Sequence, residues 1–300
     1  MGMADFGDLR LMQGLAQRIT ATHPELVNSD ASFGELAWNW GRTGGDGERR
    51  LWFADGELVA WGRAELPRRV RRDDGSVKDI TGAYLAYQVD PGHAELVDDV
   101  IGWCEKTAAG VERTVLPAAA DAHGLRRWAA HGYEPDAPDA WSQLNERELT
   151  DVEQPALPAG FSFRTASEVP PEAVVQAHVD AWTPTSYTVA SYFGVRQAPG
   201  YRGDLHVLVE APDGTMACSA ILWLDEVNAT VEFEPVGTHP AYRRRGLARA
   251  MLLHGMHLAA AAGARHATVA CMGEPAPARE LYYSVGFRAF SRDAPLIKRG

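Results

Sequence analysis

The feature that most constrains this fold is a pattern of punctuating residues that occurs twice in the chain. Each half contains an Asp-Gly hairpin turn, a β-rich segment followed by proline, and a helical segment ended by glycine. The paired positions are Asp55-Gly56 and Asp213-Gly214, Pro91 and Pro240, and Gly132 and Gly286. Their offsets are similar: 213 − 55 = 158, 240 − 91 = 149 and 286 − 132 = 154 residues. We interpret the pattern as a duplicated domain of about 150 residues. The alternative is a coincidence of turn and helix-end residues.

The sequence predicts the boundary between the two copies within residues 145–160. This stretch is polar from Asn145 and ends with Pro155, Pro158 and Gly160, which is typical of an exposed linker. The predicted domains are residues 1–150 and residues 160–300. In the second domain we predict helices over 172–183, 246–262 and 276–285 and strands over 205–210, 216–223, 230–238 and 267–272. This order predicts an α/β fold of tandem domains, each a mixed, largely antiparallel sheet flanked by helices.

The composition of the 300 residues argues against several classes of protein. With 29 basic and 40 acidic residues the formal net charge is −11, which disfavours binding to nucleic acid. No run of 18 apolar residues is present and the N-terminus lacks a signal-peptide profile, so we expect no membrane association. Three scattered cysteines exclude a disulfide scaffold and a CxxC metal site. We therefore expect a cytoplasmic, globular protein.

A basic turn follows the predicted strand 230–238 and precedes a predicted helix. The run Arg243-Arg244-Arg245 concentrates positive charge in an otherwise acidic chain, and Gly246 opens the helix. The first turn of a helix presents unpaired backbone N–H groups and the positive end of the helix dipole, which together attract anions. Gly246 and Ala248 leave these N–H groups open to close approach. The turn is therefore a candidate phosphate site, and the alternative is a solvated basic turn.

Two motifs in this region resemble the GNAT (GCN5-related N-acetyltransferase) superfamily. Its acetyl-CoA loop, Q/R-x-x-G-x-G/A, is matched by the run Arg243-Arg244-Arg245-Gly246-Leu247-Ala248. A later motif, A-x-x-L-Y-x-x-x-G-F, is matched at Ala278, Leu281, Tyr282, Gly286 and Phe287. The resemblance covers residues 160–300 and extends to 1–150 only as a degenerate copy. A similar tandem arrangement is found in mycothiol-synthase-like proteins.

The resemblance implies acetyl-CoA as co-substrate and assigns its contacts. Backbone groups of Val236, Gly237 and Thr238 would bond the pantetheine arm, and the run from Arg243 to Ala248 would hold the pyrophosphate. Many members of the family carry an asparagine seven residues before the tyrosine, where this chain has Pro275. That pantetheine contact is therefore not expected here, and no metal is implied.

Glu232, Glu234 and Tyr282 are the candidate catalytic residues. The glutamates are two apart on a strand and are expected to point to one face, where mutual repulsion raises a carboxyl pKa toward that of a general base. By resemblance, a glutamate base stands eleven residues before the loop, and 243 − 11 = 232. Alternatively, both glutamates bind a cationic substrate or face water. By resemblance, the Tyr282 hydroxyl protonates the leaving thiolate of CoA, and the alternative is a packed ring with a free hydroxyl.

Three further features allow more than one interpretation. His239, at the end of a strand, is either a second base or a turn residue. His254 and His257 share a helix face, but further ligands in register are lacking and we expect no metal site. The aromatic segment 182–203 either lines an acceptor cavity or belongs to the core.

The first copy lacks the parts that suggest chemistry. At the position of the basic turn it reads Gly92-His-Ala-Glu-Leu-Val97, followed by Asp98 and Asp99, and this negative charge would repel a pyrophosphate. Trp128 stands at the position of Tyr282. We expect the first half to be catalytically inactive, and either to complete the substrate cleft or to be structural.

These observations favour an acetyl-CoA-dependent N-acetyltransferase that acts on a primary amine of a small molecule by direct transfer in a ternary complex. Two alternatives stay open: a CoA-binding regulatory module without turnover, and an acetyltransferase that acts on a protein N-terminus or lysine. The expected partner is the small-molecule amine, with no nucleic acid and no membrane. A homodimer is left open.

Overall fold

The computed structural model of the protein describes residues 6–136, 141–272 and 277–300. The described elements of the first half are α1 (Gly7–Thr22), α2 (Phe33–Thr43), β1 (Glu48–Ala54), β2 (Glu57–Glu65), β3 (Arg68–Arg71), β4 (Val77–Ile80), β5 (Ala83–Val89), α3 (Val97–Thr107), β6 (Arg113–Val115), α4 (Ala122–Ala130), β7 (Glu134–Pro135) and β8 (Ser142–Glu148). Those of the second half are β9 (Ser162–Thr165), α5 (Pro171–Trp182), α6 (Val189–Val195), β10 (His206–Glu210), β11 (Met216–Asp225), β12 (Thr230–Thr238), α7 (Leu247–Ala261), β13 (His266–Met272), α8 (Pro277–Ser284), β14 (Arg288–Arg292) and β15 (Leu296–Lys298). None of the described helices is long and apolar enough to span a lipid bilayer.

The two halves share one order of strands and helices, as the repeated turn, proline and helix-end residues predict. The Asp-Gly pairs form the turns of the hairpins β1–β2 and β10–β11. The strands that end before Pro91 and Pro240, β5 and β12, each pair parallel with the strand that follows the next helix. The last helix of each half, α4 and α8, stops just before Gly132 and Gly286. The predicted α/β fold, with two mixed and mostly antiparallel sheets flanked by helices, is confirmed.

The two halves exchange their last strands. The first sheet has the order β1-β2-β5-β6-β15-β7, and the second has the order β14-β8-β13-β12-β11-β10-β9. Thus β8 from the first half lies between β13 and β14, and β15 from the second half lies between β6 and β7. Each sheet is completed by a strand from the other half, so the sheets do not divide the chain at the predicted linker.

The stretch expected to be an exposed linker begins as a buried strand. Gln143, Leu144 and Asn145 are at most 5% exposed, and the Asn145 side-chain amide donates to the Val269 carbonyl oxygen at 3.1 Å. The expectation of exposure is therefore wrong for Asn145, the first residue of 145–160, whereas Glu146 and Glu148 are exposed. Polar side chains inside a sheet can be buried when their hydrogen bonds are met there, and polarity alone did not reveal this.

Helix α2 belongs to the cores of both halves. Leu36 and Trp40 pack with α1 and the first sheet. Ala37 and Trp38, on another face of the same helix, pack with α5, α6 and the strands of the second sheet, including Trp223. A helix of the first half is therefore part of the wall around the second half's strands.

Candidate functional site

The centre of the candidate site is a gap between two neighbouring strands of the second sheet. The parallel strands β12 and β13 pair only over Thr230–Phe233 with His266–Val269, although both continue further. On the other side of β12, a bulge sets Glu234 and Pro235 against one position of β11. Bulges bend a strand and interrupt its ladder. No described strand pairs with the edge of residues 234–238 that faces β13, so its backbone groups are available to a ligand.

Val236, Gly237 and Thr238 lie on this open edge, and they are the residues for which the family resemblance implies pantetheine contacts. Their pairing with β11 holds the other edge of the strand, at Ala220 through Cys218. Val236 and Thr238 are half-buried and Gly237 is buried. The strand is thus fixed on one side and open on the other.

Glu234 lines a cavity of about 480 Å³ between the two halves. Its walls come from α2, β3, α5 and the segment after α5. Burial, and next the neighbouring Glu232 carboxylate, raise the pKa of Glu234 from 4.5 to about 8, while Arg42 acts in the opposite direction. A carboxyl group with such a pKa exchanges its proton near neutral pH, as a general base requires.

Glu232 is engaged in a different task. It is 7% exposed, and its two carboxylate oxygens accept hydrogen bonds from the Ser32 hydroxyl at 2.6 Å and the Gly34 backbone N–H at 2.7 Å. These bonds satisfy the first turn of α2, where negative charge is favourable. Burial raises the Glu232 pKa, and the bonds from Ser32 and Gly34 lower it. Although the register implied by the resemblance favours Glu232 as the base, this geometry favours Glu234.

Tyr282 shares the surroundings of Glu234. The side chain is 5% exposed on α8, and its pKa is raised by burial first, then by Glu234 and Cys271. The hydroxyl is therefore protonated at neutral pH and can act as a proton donor. The adjacent Tyr283 faces elsewhere, with its hydroxyl 3.1 Å from the Gln143 side-chain nitrogen.

The basic turn is exposed and leads directly into α7. Arg244 and Gly246 adopt positive φ angles of 64° and 78°, a backbone that glycine adopts without strain. Gly246 is the N-cap of α7 and has no side chain to cover the N–H groups of the first turn. Leu247 is 1% exposed and anchors the turn in the core, while Ala248 is half-buried in the first turn.

The chemistry of this turn fits a diphosphate. Arg243, Arg244 and Arg245 are all exposed around the helix N-terminus. The Arg243 Nε donates to the Thr238 carbonyl oxygen at 3.3 Å, which links the turn to the open strand. The Arg245 side chain donates to the Ala241 carbonyl oxygen at 3.3 Å. Helix N-terminal amides and guanidinium groups are the donors that bind phosphates in proteins. Pro275, the position of the missing asparagine, lies outside the described residues.

The other sequence candidates take structural places. His239 belongs to the turn, where its Nδ1 accepts a hydrogen bond from the Ala241 N–H at 3.1 Å. The His254 ring stacks on Phe163 with centroids 4.0 Å apart, and His257 contacts the Glu153 carbonyl oxygen. Across the described residues, no group of three or more His, Cys, Asp or Glu side chains is placed to hold a metal ion.

The aromatic segment 182–203 serves both of the roles considered for it. Trp182 and Tyr187 line the cavity. Tyr192 is 1% exposed in the core, and its hydroxyl lies 3.0 Å from the hydroxyl of Tyr201. The segment therefore supplies part of the cavity wall and also a buried anchor behind it.

In the first half, acidic side chains occupy the place of the basic turn. Asp98 lies in the first turn of α3 and pairs with Arg127 at 2.6 Å. Asp90 accepts a hydrogen bond from the Gly92 N–H at 2.9 Å. Trp128, at the position of Tyr282, is fully buried. These residues provide neither the cations of the turn nor a phenol.

Sequence reasoning missed the residues that the first half supplies to the cavity. Trp38 and Arg42 of α2 and Arg68 of β3 line it beside Glu234. The hairpin β3–β4 had a readable signal, since Asp74-Gly75 separates two short β-rich runs. The position of α2 had no such signal, because it results from tertiary packing.

Comparison with known proteins gives a family for part of the chain. Residues 172–287 match the sequence model described as the Acetyltransferase (GNAT) family. A search of curated proteins gave no match.

Among solved structures, likeness extends over both halves. A GCN5-related N-acetyltransferase from Sphaerobacter thermophilus has a TM-score of 0.64 at 20% identity, over 97% of this chain and 91% of that one. A tandem GNAT protein from the clavulanic acid biosynthesis pathway, without AcCoA, has a TM-score of 0.66 at 14% identity, over 99% and 97%. A GNAT-family acetyltransferase from Colwellia psychrerythraea has a TM-score of 0.59 at 12% identity, over 99% and 98%. At these identities the likeness shows a shared fold.

Proposed function

We propose, from the match of residues 172–287 to the GNAT acetyltransferase family model, that the chain transfers the acetyl group of acetyl-CoA to a primary amine of a small molecule. The observation that carries the proposal is the electrostatic interaction between Glu234, on the strand beside the gap, and Tyr282, on α8. One is a carboxyl with a pKa raised to about 8, and the other is a buried phenol whose pKa the Glu234 carboxylate helps to raise. A proton acceptor and a proton donor in one place are what acyl transfer to an amine requires.

The proton steps balance with these two side chains. The Glu234 carboxylate accepts a proton from the substrate ammonium and leaves a free amine. The amine nitrogen forms a bond to the acetyl carbonyl carbon, and the carbon–sulfur bond breaks. Tyr282 donates its proton to the leaving thiolate of CoA. The nitrogen loses its second proton as the amide forms, and this proton restores the Tyr282 hydroxyl, while Glu234 returns its own proton to solvent. A carboxyl pKa of about 8 suits the first step, because it approaches that of an alkylammonium group such as lysine, roughly 10.

The open strand edge and the basic turn are the proposed contacts of acetyl-CoA. Val236, Gly237 and Thr238 present backbone groups toward the gap, and the turn from Arg243 to Ala248 presents guanidinium and amide donors. The strand and the turn are consecutive in the chain, so one ligand can contact both. The N–H groups along the same strand also supply candidate donors to the oxyanion of the transition state.

Direct transfer in a ternary complex is favoured over an acetylated enzyme. Cys218 and Cys271 are the buried thiols of this half. Burial raises the pKa of Cys218 to about 11 and also raises that of Cys271. Thiols are nucleophilic as thiolates, so neither cysteine is poised to accept the acetyl group. We therefore assign the attack to the amine itself.

A small-molecule acceptor is favoured by the walls of the cavity. The cavity is bordered on one side by α2 and β3 of the first half and on the other by α5 of the second. At about 480 Å³ it lies within the range of small-ligand sites, roughly 300–1,000 Å³.

The test is a panel of small amines and peptides with acetyl-CoA, read by release of free CoA thiol. We expect turnover with small amines, and initial-rate plots that intersect when both substrates are varied. Peptide turnover alone would replace the small-molecule acceptor with a protein. Acetyl-CoA binding with no thiol release from any amine would leave a regulatory module, and parallel initial-rate lines would contradict direct transfer.

A further inference from the structure

A hairpin of the first half is fixed against the cavity of the second. In the second copy β11 and β12 are joined by residues 226–229, whereas in the first copy β2 and β5 are joined by 66–82, which include β3 and β4. Asp73, between β3 and β4, accepts hydrogen bonds from the Thr185 N–H at 2.6 Å and the Thr183 hydroxyl at 2.8 Å. Its own N–H donates to the Thr185 carbonyl oxygen at 2.8 Å. The hairpin is therefore held in place as part of the cavity wall.

Alternate side chains of β3 face the cavity. Arg68 and Val70 line it, while Arg69 points away, pairs with Asp79 at 2.9 Å and is 76% exposed. The Arg68 guanidinium lies 2.8 Å from Glu65, whose other carboxylate oxygen lies 3.3 Å from Arg63. One carboxylate is thus shared by two arginines, and the positive charge of Arg68 is only partly balanced.

A second arginine lies on the same side of the cavity. Arg42, in the last turn of α2, donates through Nε to the Asn39 side-chain oxygen at 2.9 Å. No carboxylate of the described residues lies within 4.0 Å of its guanidinium nitrogens. Asp46 also lines this part of the cavity. Arg42 and Arg68 thus line the cavity together with two carboxyl groups, Asp46 and Glu234. Of the two arginines, Arg68 is paired with Glu65, whereas Arg42 has no ion pair among the described residues.

Uncharged rings complete the wall of the cavity. The His178 ring stacks on Trp182 with centroids 4.4 Å apart and lies 5.4 Å from the Trp38 ring. Tyr187 lies 4.2 Å from His178. Burial lowers the His178 pKa to about 4, so this ring is neutral at physiological pH. Such a wall suits an apolar or aromatic part of a ligand.

We infer that the acceptor is an amine that carries an anionic group, with an apolar or aromatic segment between the two. Its amine meets Glu234, its middle segment lies on the aromatic wall, and its anionic group meets Arg42 and Arg68. Carboxylate and phosphate share the chemistry that guanidinium groups recognise. The inference rests on the proposed acetyl transfer and names the substrate class of that site.

The experiment compares matched amines in the full-length protein. 4-(2-Aminoethyl)benzoate and tyramine O-phosphate carry an anionic group at the end opposite the amine, and we call them the anionic acceptors. Phenethylamine and tyramine lack this group and are called the neutral acceptors. The readout is the ratio of kcat/KM for an anionic amine to that for its neutral partner. We expect a ratio of about ten or more, because hydrogen bonds between charged groups are the strong ones.

Variants assign the preference to its residues. Arg42→Gln and Arg68→Gln should each reduce the ratio several-fold, whereas Arg69→Gln, on the outward face of β3, should keep it. The ratio is the informative quantity because Arg42 also influences the Glu234 pKa, an effect that acts on every amine. A phosphate preference over carboxylate, or the reverse, identifies the anionic group.

Equal kcat/KM for anionic and neutral amines would overturn the inference while leaving acetyl transfer intact. A preference that survives both cavity variants would also overturn it. If no amine is turned over, the proposed function fails, and the inference is then decided by calorimetry with the CoA-bound protein. In that measurement 4-(2-aminoethyl)benzoate must bind at least several-fold more tightly than phenethylamine, and the difference must shrink in Arg42→Gln.

Discussion

The Glu232 carboxylate accepts a hydrogen bond of 2.7 Å from the Gly34 backbone N–H, 198 positions away in the sequence. A Cβ atom at position 34 would lie 2.8 Å from the Glu232 Oε2 atom, so glycine permits this approach. The bond connects β12 to the first turn of α2 and thereby fixes the first half against the strand that carries Glu234. The two neighbouring glutamates therefore have separate roles, one in holding the halves together and one in the cavity.

Glu232→Ala should destabilise the fold and leave the chemistry in place. The Ser32 hydroxyl and Gly34 N–H lose their buried acceptor, which costs about 1–3 kcal/mol of unfolding free energy. Urea unfolding measures the loss. Because Glu232 helps to raise the Glu234 pKa, the acidic limb of the pH–rate profile should also move to lower pH. A large loss of turnover at wild-type stability would assign the base to Glu232 instead.

Glu234→Gln should remove the base while preserving the fold. Loss of a general base lowers kcat by roughly 10²–10⁴-fold, and acetyl-CoA affinity should stay near that of the wild type. The folded pKa of the wild-type carboxyl is raised from 4.5 to about 8, so the stability it contributes is lost as the pH rises from about 4.5 to about 8, and above that pH the buried carboxylate is ionised. The variant should therefore unfold at an equal or higher temperature than the wild type at pH 9. Full turnover in the variant would refute the assignment.

Tyr282→Phe should lower kcat by about tenfold or more with little change in acetyl-CoA affinity, because only the proton donor is removed. Tyr283→Phe is the matched control, since the adjacent hydroxyl contacts Gln143 away from Glu234. Steady-state kinetics and calorimetry on both variants separate chemistry from binding. Equal activity of the two variants would leave Tyr282 as a packing residue.

Gly246→Glu should weaken acetyl-CoA binding by at least about tenfold, because a carboxylate at this helix N-terminus opposes the pyrophosphate. Gly263→Glu is the control at the other end of α7. Gly263 also has a positive φ, of 100°, and open space around it, so both variants carry similar strain and the same added charge. Calorimetric titration with CoA compares them. Similar affinities would show that the basic turn is not the diphosphate site.

Stability should fall as the pH rises from about 4 toward neutrality. Asp293 accepts hydrogen bonds from the Ser29 N–H at 3.1 Å and from the Ser29 hydroxyl, and burial raises its pKa from 3.8 to about 7. A group with a raised folded pKa stabilises the fold fully below its unfolded pKa, and this contribution is lost as pH rises through the folded value. The Tm should therefore decrease from about pH 4 to about pH 7, the interval between the unfolded and folded pKa values. Asp293→Asn should flatten this slope, and an unchanged slope would contradict the assignment.

The sequence predicts the parts of the site that depend on local chemistry. Strand 230–238, the turn at Gly246 and the helix that carries Tyr282 follow from hydrophobic pattern, turn residues and caps, which act within a few positions. The place of β8 does not follow in this way, because a short polar strand contains no information about which sheet it joins. Arg42 and Arg68 are not predicted as site residues for a similar reason. Their position in the cavity with Glu234 depends on how α2 and the hairpin β3–β4 pack against the other half.

The exchange of last strands also bears on how the protein is made. The strand β15, Leu296–Lys298, is synthesised last, although the other strands of its sheet are synthesised much earlier. Until β15 has left the ribosome, the first sheet lacks the strand between β6 and β7. Loss of the second half would leave the first sheet without β15, and loss of the first half would leave the second sheet without β8. The structural requirement for the N-terminal half therefore does not depend on any chemistry of its own, since the second sheet is not complete without β8.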